Sequence, residues 1–419
     1  MTYINLVRIR LWAWDMKSIT NKADFLNFWN KEAAEFDTLH SHQIFFDDNM
    51  IFKTFLCYKN QLKNFQKHNK ATDFITSVNG SLTLTPDHSM LAISDDIDMN
   101  GYIARLENLH QNNDWCIAYF GLHTIDAQIW DMARNFARII YKNTNKKPTG
   151  RVDVDCFLGN YTSTHSGIHV DYAHNFAFTL RNGKSMYTWS PDKKELKGLK
   201  YPNYEQYKDS AKVICNRTDN ICYFPYNYYH VAESSNATSL VVNIAFWEEN
   251  DDVDTIFEQI NNSLFVGADN LSHIKLSNFS NNHFNSGMVS LTDDNIDIFH
   301  YIHNRFNEFN IKLKIIAYQL IKTTSLGLLV PRPIQKQKID GDFLIRDDNS
   351  ILQWIVLDDM LIISSNGHCS SIAYCQDIEL LLNRILTNKI LNIQDFQQDK
   401  SLVVIHKLYQ WGRLVCATR

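Results

Sequence analysis

Thr164–Trp189 reads THSGIHVDYAHNFAFTLRNGKSMYTW, and the fold of the 419-residue chain turns on how this run is placed. It is rich in β-branched and aromatic residues and is interrupted at Asn182-Gly183, a dipeptide that suits a hairpin turn or the entry to a next strand. Side chains two apart on a strand point to one face, so His169 and Asp171 present an imidazole and a carboxylate side by side. A third donor of matching type stands in a second strand-like run, ICYFPYNYYHVAES, as His230.

Two imidazoles and one carboxylate leave three adjacent coordination positions open, the facial set found in non-haem Fe(II) oxygenases. A bare His-x-Asp arises by chance in a chain with 16 histidines, so its surroundings must give it weight. Lys184 follows Asn182-Gly183. It either carries a cation back over the metal, to meet the far carboxylate of a dicarboxylic co-substrate, or is a solvated lysine beside a turn. His165 and His174 flank the metal run and read as bystanders. His300 and His303 sit three apart with no acid or thiol spaced to complete a site, and read as ordinary histidines. Asp153 and Asp155 alternate on one strand face; they either meet a cationic side chain or lie on an outer, solvated face, the reading adopted here.

From Arg151 to Trp247 the chain resembles the JmjC-type 2-oxoglutarate oxygenases of the cupin superfamily, closest to protein and peptide hydroxylases of the ribosomal-oxygenase and asparaginyl-hydroxylase type. The residues that carry the resemblance are the Thr/Ser-rich approach to His169-x-Asp171, Asn175, the basic Lys184, the aromatic before Ser190-Pro191-Asp192, and His230 followed by Glu233-Ser234 and a strand ending in Phe246-Trp247. The resemblance implies a mixed α/β (α+β) chain built on a double-stranded β-helix, or jelly-roll, core. It implies Fe(II) held by His169, Asp171 and His230, and 2-oxoglutarate held by Lys184, Ser166, Asn175 and Asn243. Counting from His230 and counting back from Trp247 place either Asn243 or Ala245 in the co-substrate pocket. The implied reaction consumes O2, releases succinate and CO2, and hydroxylates an amino-acid side chain of a protein or peptide. The same chemistry on a free amino acid, small metabolite or modified nucleotide, and a non-catalytic cupin binding protein, are the alternatives. Tyr172, Phe178, Trp189, Tyr226, Tyr228 and Tyr229 are candidates for a dry aromatic wall.

Composition bounds the rest. A net charge of −5 gives no global field for nucleic acid, and 45% hydrophobic with 21% charged residues is an ordinary globular balance. The eight cysteines include no Cys-x-x-Cys pair and read as buried thiols of a reducing compartment. The N-terminal run is interrupted by Arg8 and Arg10, and no apolar run reaches spanning length, so a cytoplasmic chain without a membrane span is expected.

Three domains are expected. Residues 1–250 form the catalytic unit, with an entry helix over Thr20–Phe36 and a strongly amphipathic helix over Ala127–Asn143. Between Arg151 and Trp247, short strands with long connections fit a jelly roll, and Lys193–Ser210 reads as a lid or substrate-facing insertion. Residues 251–330 form helices that the resemblance associates with a homodimer. Residues 331–419 suggest a winged-helix-like module whose helix Asp377–Asn388 carries two acids and one base, a poor phosphate-binding face.

Overall fold

The computed structural model describes residues 34–37, 46–65, 73–82, 87–111, 113–144, 150–218, 220–234, 237–248, 308–334, 339–396 and 399–417. In order they form β1 (Ala34–Asp37), α1 (Asp48–Phe65), β2 (Asp73–Val78), β3 (Ser81–Leu82), α2 (Met99–His110), β4 (Trp115–Phe120) and α3 (Ala127–Thr144). There follow β5 (Val152–Asn160), β6 (His169–Val170), β7 (Ala173–Arg181), β8 (Lys184–Trp189), β9 (Lys212–Asn216), β10 (Asn220–Phe224), β11 (Tyr229–Ser234) and β12 (Ser239–Trp247). Beyond these lie α4 (Glu308–Ser325), β13 (Phe343–Arg346), β14 (Leu352–Leu357), β15 (Met360–Ser365), β16 (His368–Ala373), α5 (Gln376–Thr387), β17 (Ile390–Asn392), α6 (Asp399–Gln410) and β18 (Leu414–Cys416).

The architecture is mixed helix and sheet, with antiparallel pairing. An eight-stranded sheet runs β1-β10-β7-β12-β5-β4-β2-β3, and a four-stranded sheet runs β6-β11-β8-β9. From β5 to β12 the chain passes repeatedly between them: β5, β7, β10 and β12 belong to the large sheet, and β6, β8, β9 and β11 to the small one. Asn182-Gly183 is therefore a corner between sheets and not a hairpin turn. Asn182 adopts φ 41, and its amide is pinned by donation to the Thr238 carbonyl at 2.8 Å.

The strands of the large sheet are apolar on their helix-facing side because that side packs on α1 and α3. Val152, Val154, Cys156 and Leu158 of β5, Phe176 and Phe178 of β7, and Val242 and Ile244 of β12 share one core with them. On α3, Ile129, Ala133, Phe136, Ala137 and Ile140 recur at helical spacing and are buried. Asp126 caps that helix by accepting from the Gln128 and Ile129 amides at 2.7 and 3.1 Å. The Phe136 ring meets Phe176 and Phe178 edge-on, with centroids 5.1 and 5.4 Å apart.

The opposite face of the large sheet turns to the small sheet. Ala177, Cys222, Phe224 and Val241 from the one pack with Met186 and Ile214 from the other. Asp153 and Asp155 lie on this inner face, since Asp153 pairs with Ala245, Asp155 with Asn243, and those in turn with Asn175 and Ala177. The expected outer, solvated position for the two acids is thus corrected: the even-numbered neighbours are the ones that face the helices.

Within the expected Thr20–Phe36 helix, residues 20–33 lie outside the described residues, and Ala34–Phe36 belong to β1, paired with Tyr223–Ile221 of β10. Ladder pairing at a sheet edge outweighs the helical pattern there. Residues 251–307, including His300 and His303, also lie outside the described residues.

After α4, two three-stranded sheets, β17-β13-β18 and β14-β15-β16, share a second core with α5 and α6 that includes Leu344, Leu361, Ile378, Leu382, Ile405 and Leu408. This part docks on α3: Trp130 Nε1 donates to the Val330 carbonyl at 2.9 Å, Arg134 to Asn366 Oδ1 at 2.5 Å, and Arg332 pairs with Asp131 at 2.9 Å. Among the described residues no helix is long and apolar enough to cross a membrane.

Phe136 stands where helix and sheet meet and is 1% exposed. Phe136→Ala is expected to lower the unfolding free energy by about 3–5 kcal/mol in chemical denaturation, through lost burial and the cavity left behind.

Candidate metal centre

β6 is two residues long and pairs with β11 so that His169 stands directly opposite His230. Opposed residues of an antiparallel pair project to the same face, so the two imidazoles meet, with ring centroids 4.3 Å apart. Each ring is oriented in the same way. His169 Nδ1 donates to the Gly167 carbonyl at 2.9 Å and His230 Nδ1 to the Tyr228 carbonyl at 3.1 Å. A carbonyl can only accept, so Nδ1 carries a proton in both rings, and in the neutral form of each imidazole it is Nε2 that offers the lone pair.

Asp171 completes the group. Its Oδ1 lies 3.7 Å from His169 Nε2 and its Oδ2 3.5 Å from His230 Nε2, and the three donor atoms all fall within 4.8 Å of one another. Among the described residues no other group of three such side chains comes together. Donors on one octahedral face, with bonds of ~2.1 Å, lie ~3 Å apart, so small side-chain adjustments close this trio on an ion. The His169 and Asp171 side chains are 34% and 35% exposed and that of His230 5%, which leaves one side of the trio open.

Burial pushes the Asp171 carboxyl up, but the His230 and His169 imidazoles and the Asn175 amide outweigh it and hold the group at about 2. Burial first, and the neighbouring His230 second, lower His169 to about 4. At neutral pH the cluster is one carboxylate and a neutral His169 imidazole, the protonation states that ligate.

The remaining residues singled out in the sequence fall in several places. Asn175 donates to Asp171 Oδ2 at 3.4 Å, beside the trio. Asn243 and Ala245 both lie on the inner face of β12; Ala245 pairs with Asn175 and Asn243 with Ala177, its Oδ1 buried and without a hydrogen-bond partner among the described residues. Ser166 is turned to His165, with Oγ 3.1 Å from His165 Nε2. His174 points to the helix-facing side, where Nδ1 contacts the Tyr223 hydroxyl at 2.9 Å and Nε2 lies 3.4 Å from Glu248. Asp155 accepts from the Gly121 amide at 3.0 Å and is pushed up to about 8, first by burial and then by Asp153.

Lys184 is the inner face's cation. It pairs with Ser234 of β11, while His230 pairs with Thr188, so both lie on one face, four residues or about 13 Å of strand apart. It is 5% exposed. Its Nζ donates to the Tyr161 hydroxyl at 2.8 Å and sits 5.3 Å from the Phe157 and Tyr161 ring centres. Among the described residues no carboxylate pairs with it, and burial lowers it to about 8. The solvated-turn reading of Lys184 is therefore corrected.

Tyr161 was not singled out in the sequence, although it continues the odd-numbered inward series Asp153, Asp155, Phe157 past the end of β5. The aromatic wall also differs. Phe224 lies 4.6 Å from the His230 ring, and half-exposed Tyr172 stands near Tyr226 at the rim. Phe178 instead packs against α3, and Trp189 and Tyr229 lie on the far side of the small sheet.

No family model matches the chain, and no curated protein matches it. Among solved structures it is similar to YcfD of Escherichia coli, at 12% identity over 94% of this chain and 98% of that one, with a TM-score of 0.46. A second structure of that protein, described as a ribosomal oxygenase, gives 10% identity, the same coverage and a TM-score of 0.44. A mutant oxalate decarboxylase of Bacillus subtilis aligns over 24% of this chain and 23% of its own, at 10% identity and a TM-score of 0.18. Likeness at these values transfers neither substrate nor activity.

Lys184 gives the site a measurable pH signature. The unfolded chain keeps its proton to about 10.5 and the folded chain to about 8, so between those values unfolding takes up a proton and stability rises with pH. Relative to Lys184→Met, the wild type is expected to gain about 3 kcal/mol across that window. Urea denaturation of both proteins at about pH 7, 8.5 and 10 measures it.

Proposed function

We propose that the chain is an Fe(II)- and 2-oxoglutarate-dependent dioxygenase that hydroxylates an amino-acid side chain of a protein or peptide. The observation that carries this reading is one inner surface bearing both an open His169–Asp171–His230 trio and a buried lysine with no carboxylate partner among the described residues. An oxygenase of this kind needs both: a facial set with free positions, and a cation for the far end of a diacid. Sequence resemblance points to the same chemistry.

The donors present suit Fe(II): two imidazole nitrogens and one carboxylate oxygen, with each Nδ1 engaged by a carbonyl so that Nε2 is the nitrogen turned to the ion. Bound there, the ion with 2-oxoglutarate and O2 would supply the oxidising power for hydroxylation, releasing succinate and CO2. The chain's own groups do the rest. The Gly167 and Tyr228 carbonyls fix both rings in the ligating tautomer. Asn175 steadies Asp171, and Phe224 keeps water from the His230 side. Lys184 would take the distal carboxylate of the co-substrate, with the Tyr161 hydroxyl beside it; an arriving anion removes the cost of a buried unpaired ammonium. Asn243, through its amide, lies along the way from the trio to Lys184.

We further read the alternation of β5 to β12 between two sheets as a double-stranded β-helix, or jelly roll, of the cupin type. The division into a catalytic unit to residue 250, a helical segment to 330 that forms a homodimer, and a winged-helix-like module to 419 belongs to the same proposal, as does a cytoplasmic location. Half-exposed Tyr172 beside Asp171 suits a rim that a peptide crosses.

Anaerobic addition of Fe(II) and 2-oxoglutarate is expected to give a visible charge-transfer band that His169→Ala lacks, and succinate should form on admission of air. Lys184→Ala is expected to raise the KM for 2-oxoglutarate by roughly 10²-fold, the cost of removing a buried charge partner. Absence of both band and succinate in folded wild-type protein would overturn the reading.

A further inference from the structure

We infer that the Lys193–Ser210 insertion is a positioning element for the metal ligand His169, acting through Gly167 and Leu199; this rests on the metal reading above. Strand β6 is just two residues long and, among the described residues, is an edge strand of the small sheet, with β11 on one side. Two residues of ladder are too few to fix a strand's position. The insertion supplies what the sheet does not. The Ile168 amide donates to the Leu199 carbonyl and the Gly198 amide to the Ile168 carbonyl, both at 2.8 Å, so the chain leading into His169 is held on its free side as well.

Gly167 is the contact point. It adopts φ +60, and a Cβ there would lie 2.3 Å from the Leu199 carbonyl oxygen and 2.9 Å from its carbon. Backbone this close leaves no room for a side chain, and the left-handed conformation disfavours one independently. The carbonyl of the same glycine accepts from His169 Nδ1 and so sets the ring's tautomer and direction. Any shift of the insertion against Gly167 is therefore passed to the imidazole.

The insertion is itself firmly anchored, and on the side of the small sheet away from the large one. Leu196 and Tyr204 are fully buried against Ile168, Trp189, Tyr229 and Val231. The Tyr204 hydroxyl donates to Glu233 Oε1 at 2.5 Å, Lys208 pairs with Glu233 at 2.9 Å, and Trp189 Nε1 donates to the Tyr207 carbonyl at 3.2 Å. A segment placed this way does not close over the trio as a lid; it backs the strand that carries one of its members. Removing a partner that orients a ligating histidine commonly lowers metal affinity 10- to 100-fold, and that is the size expected here.

The test is titration of the full-length protein with Co(II), read by its visible d–d bands, together with thermal melts. Gly167→Ala is expected to weaken Co(II) binding about 10- to 100-fold and to shift the bands. Leu196→Ala, remote from the trio, should weaken it several-fold with the same direction of band shift. Phe136→Ala, equally buried but on the helix side, should lose stability while binding Co(II) as the wild type does. The inference is overturned if Gly167→Ala, or Leu196→Ala where Gly167→Ala gives no cooperative melt, matches Phe136→Ala in affinity and spectrum. Failure of the wild type to bind Co(II) at all would instead overturn the metal reading on which it rests.

Discussion

The antiparallel pairing of His169 with His230 is the contact on which the remaining chemistry depends. It joins two residues 61 positions apart in the sequence, and nothing local to either makes them meet. Once β6 and β11 are in register, both rings fall on one face, and the carbonyl two residues before each ring accepts a hydrogen bond from its Nδ1. A slip of β6 by one residue would turn the His169 imidazole to the far side of the sheet, into the cluster of Trp189, Leu196 and Tyr204, while β11 stays paired with β8. The register is held because that far side is itself a packed apolar surface.

The inner surface between the sheets combines two kinds of environment. Toward the corner, Ala177, Met186, Ile214, Cys222, Phe224 and Val241 make a small apolar core. Beside it lie polar groups that such a core would ordinarily exclude: Lys184, Asp155, Asn243 and Asn175. Burying a charge without a partner is costly, and the depressed Lys184 and raised Asp155 record that cost. Where the C-terminal part docks, by contrast, a cation meets an opposite charge, as Arg332 does with Asp131. Lys184 has no such partner among the described residues and is met by the Tyr161 hydroxyl alone.

Several misreadings in the sequence share one cause. Asp153 and Asp155 alternate with apolar residues, and alternation normally marks a strand with one wet face. Here both faces are covered, by helices on one side and by the second sheet on the other, so the same pattern places the acids inside. Phe178, Trp189 and Tyr229 were apolar candidates for the site, yet each lies on the opposite side of its sheet from the trio. Tyr161 escaped notice because it stands beyond the end of β5, where only the parity of the strand points it inward. In each case the residue's side could be counted along a strand, but what lay on that side could not.

The local facts are legible in the order of residues: a strand-forming run with His169 and Asp171 on one face, a helix with Ile129, Phe136 and Ile140 on one stripe, and a lysine beyond Asn182-Gly183. These follow from side-chain periodicity, which is a property of a few neighbouring residues. Which distant strand lies opposite His169, which face of β5 is the interior, and that the Lys193–Ser210 insertion sits behind β6 and not above the trio come from the three-dimensional packing. Those depend on sheet order and packing between segments far apart in the chain, where burial against one partner excludes every other and no short-range pattern records the choice.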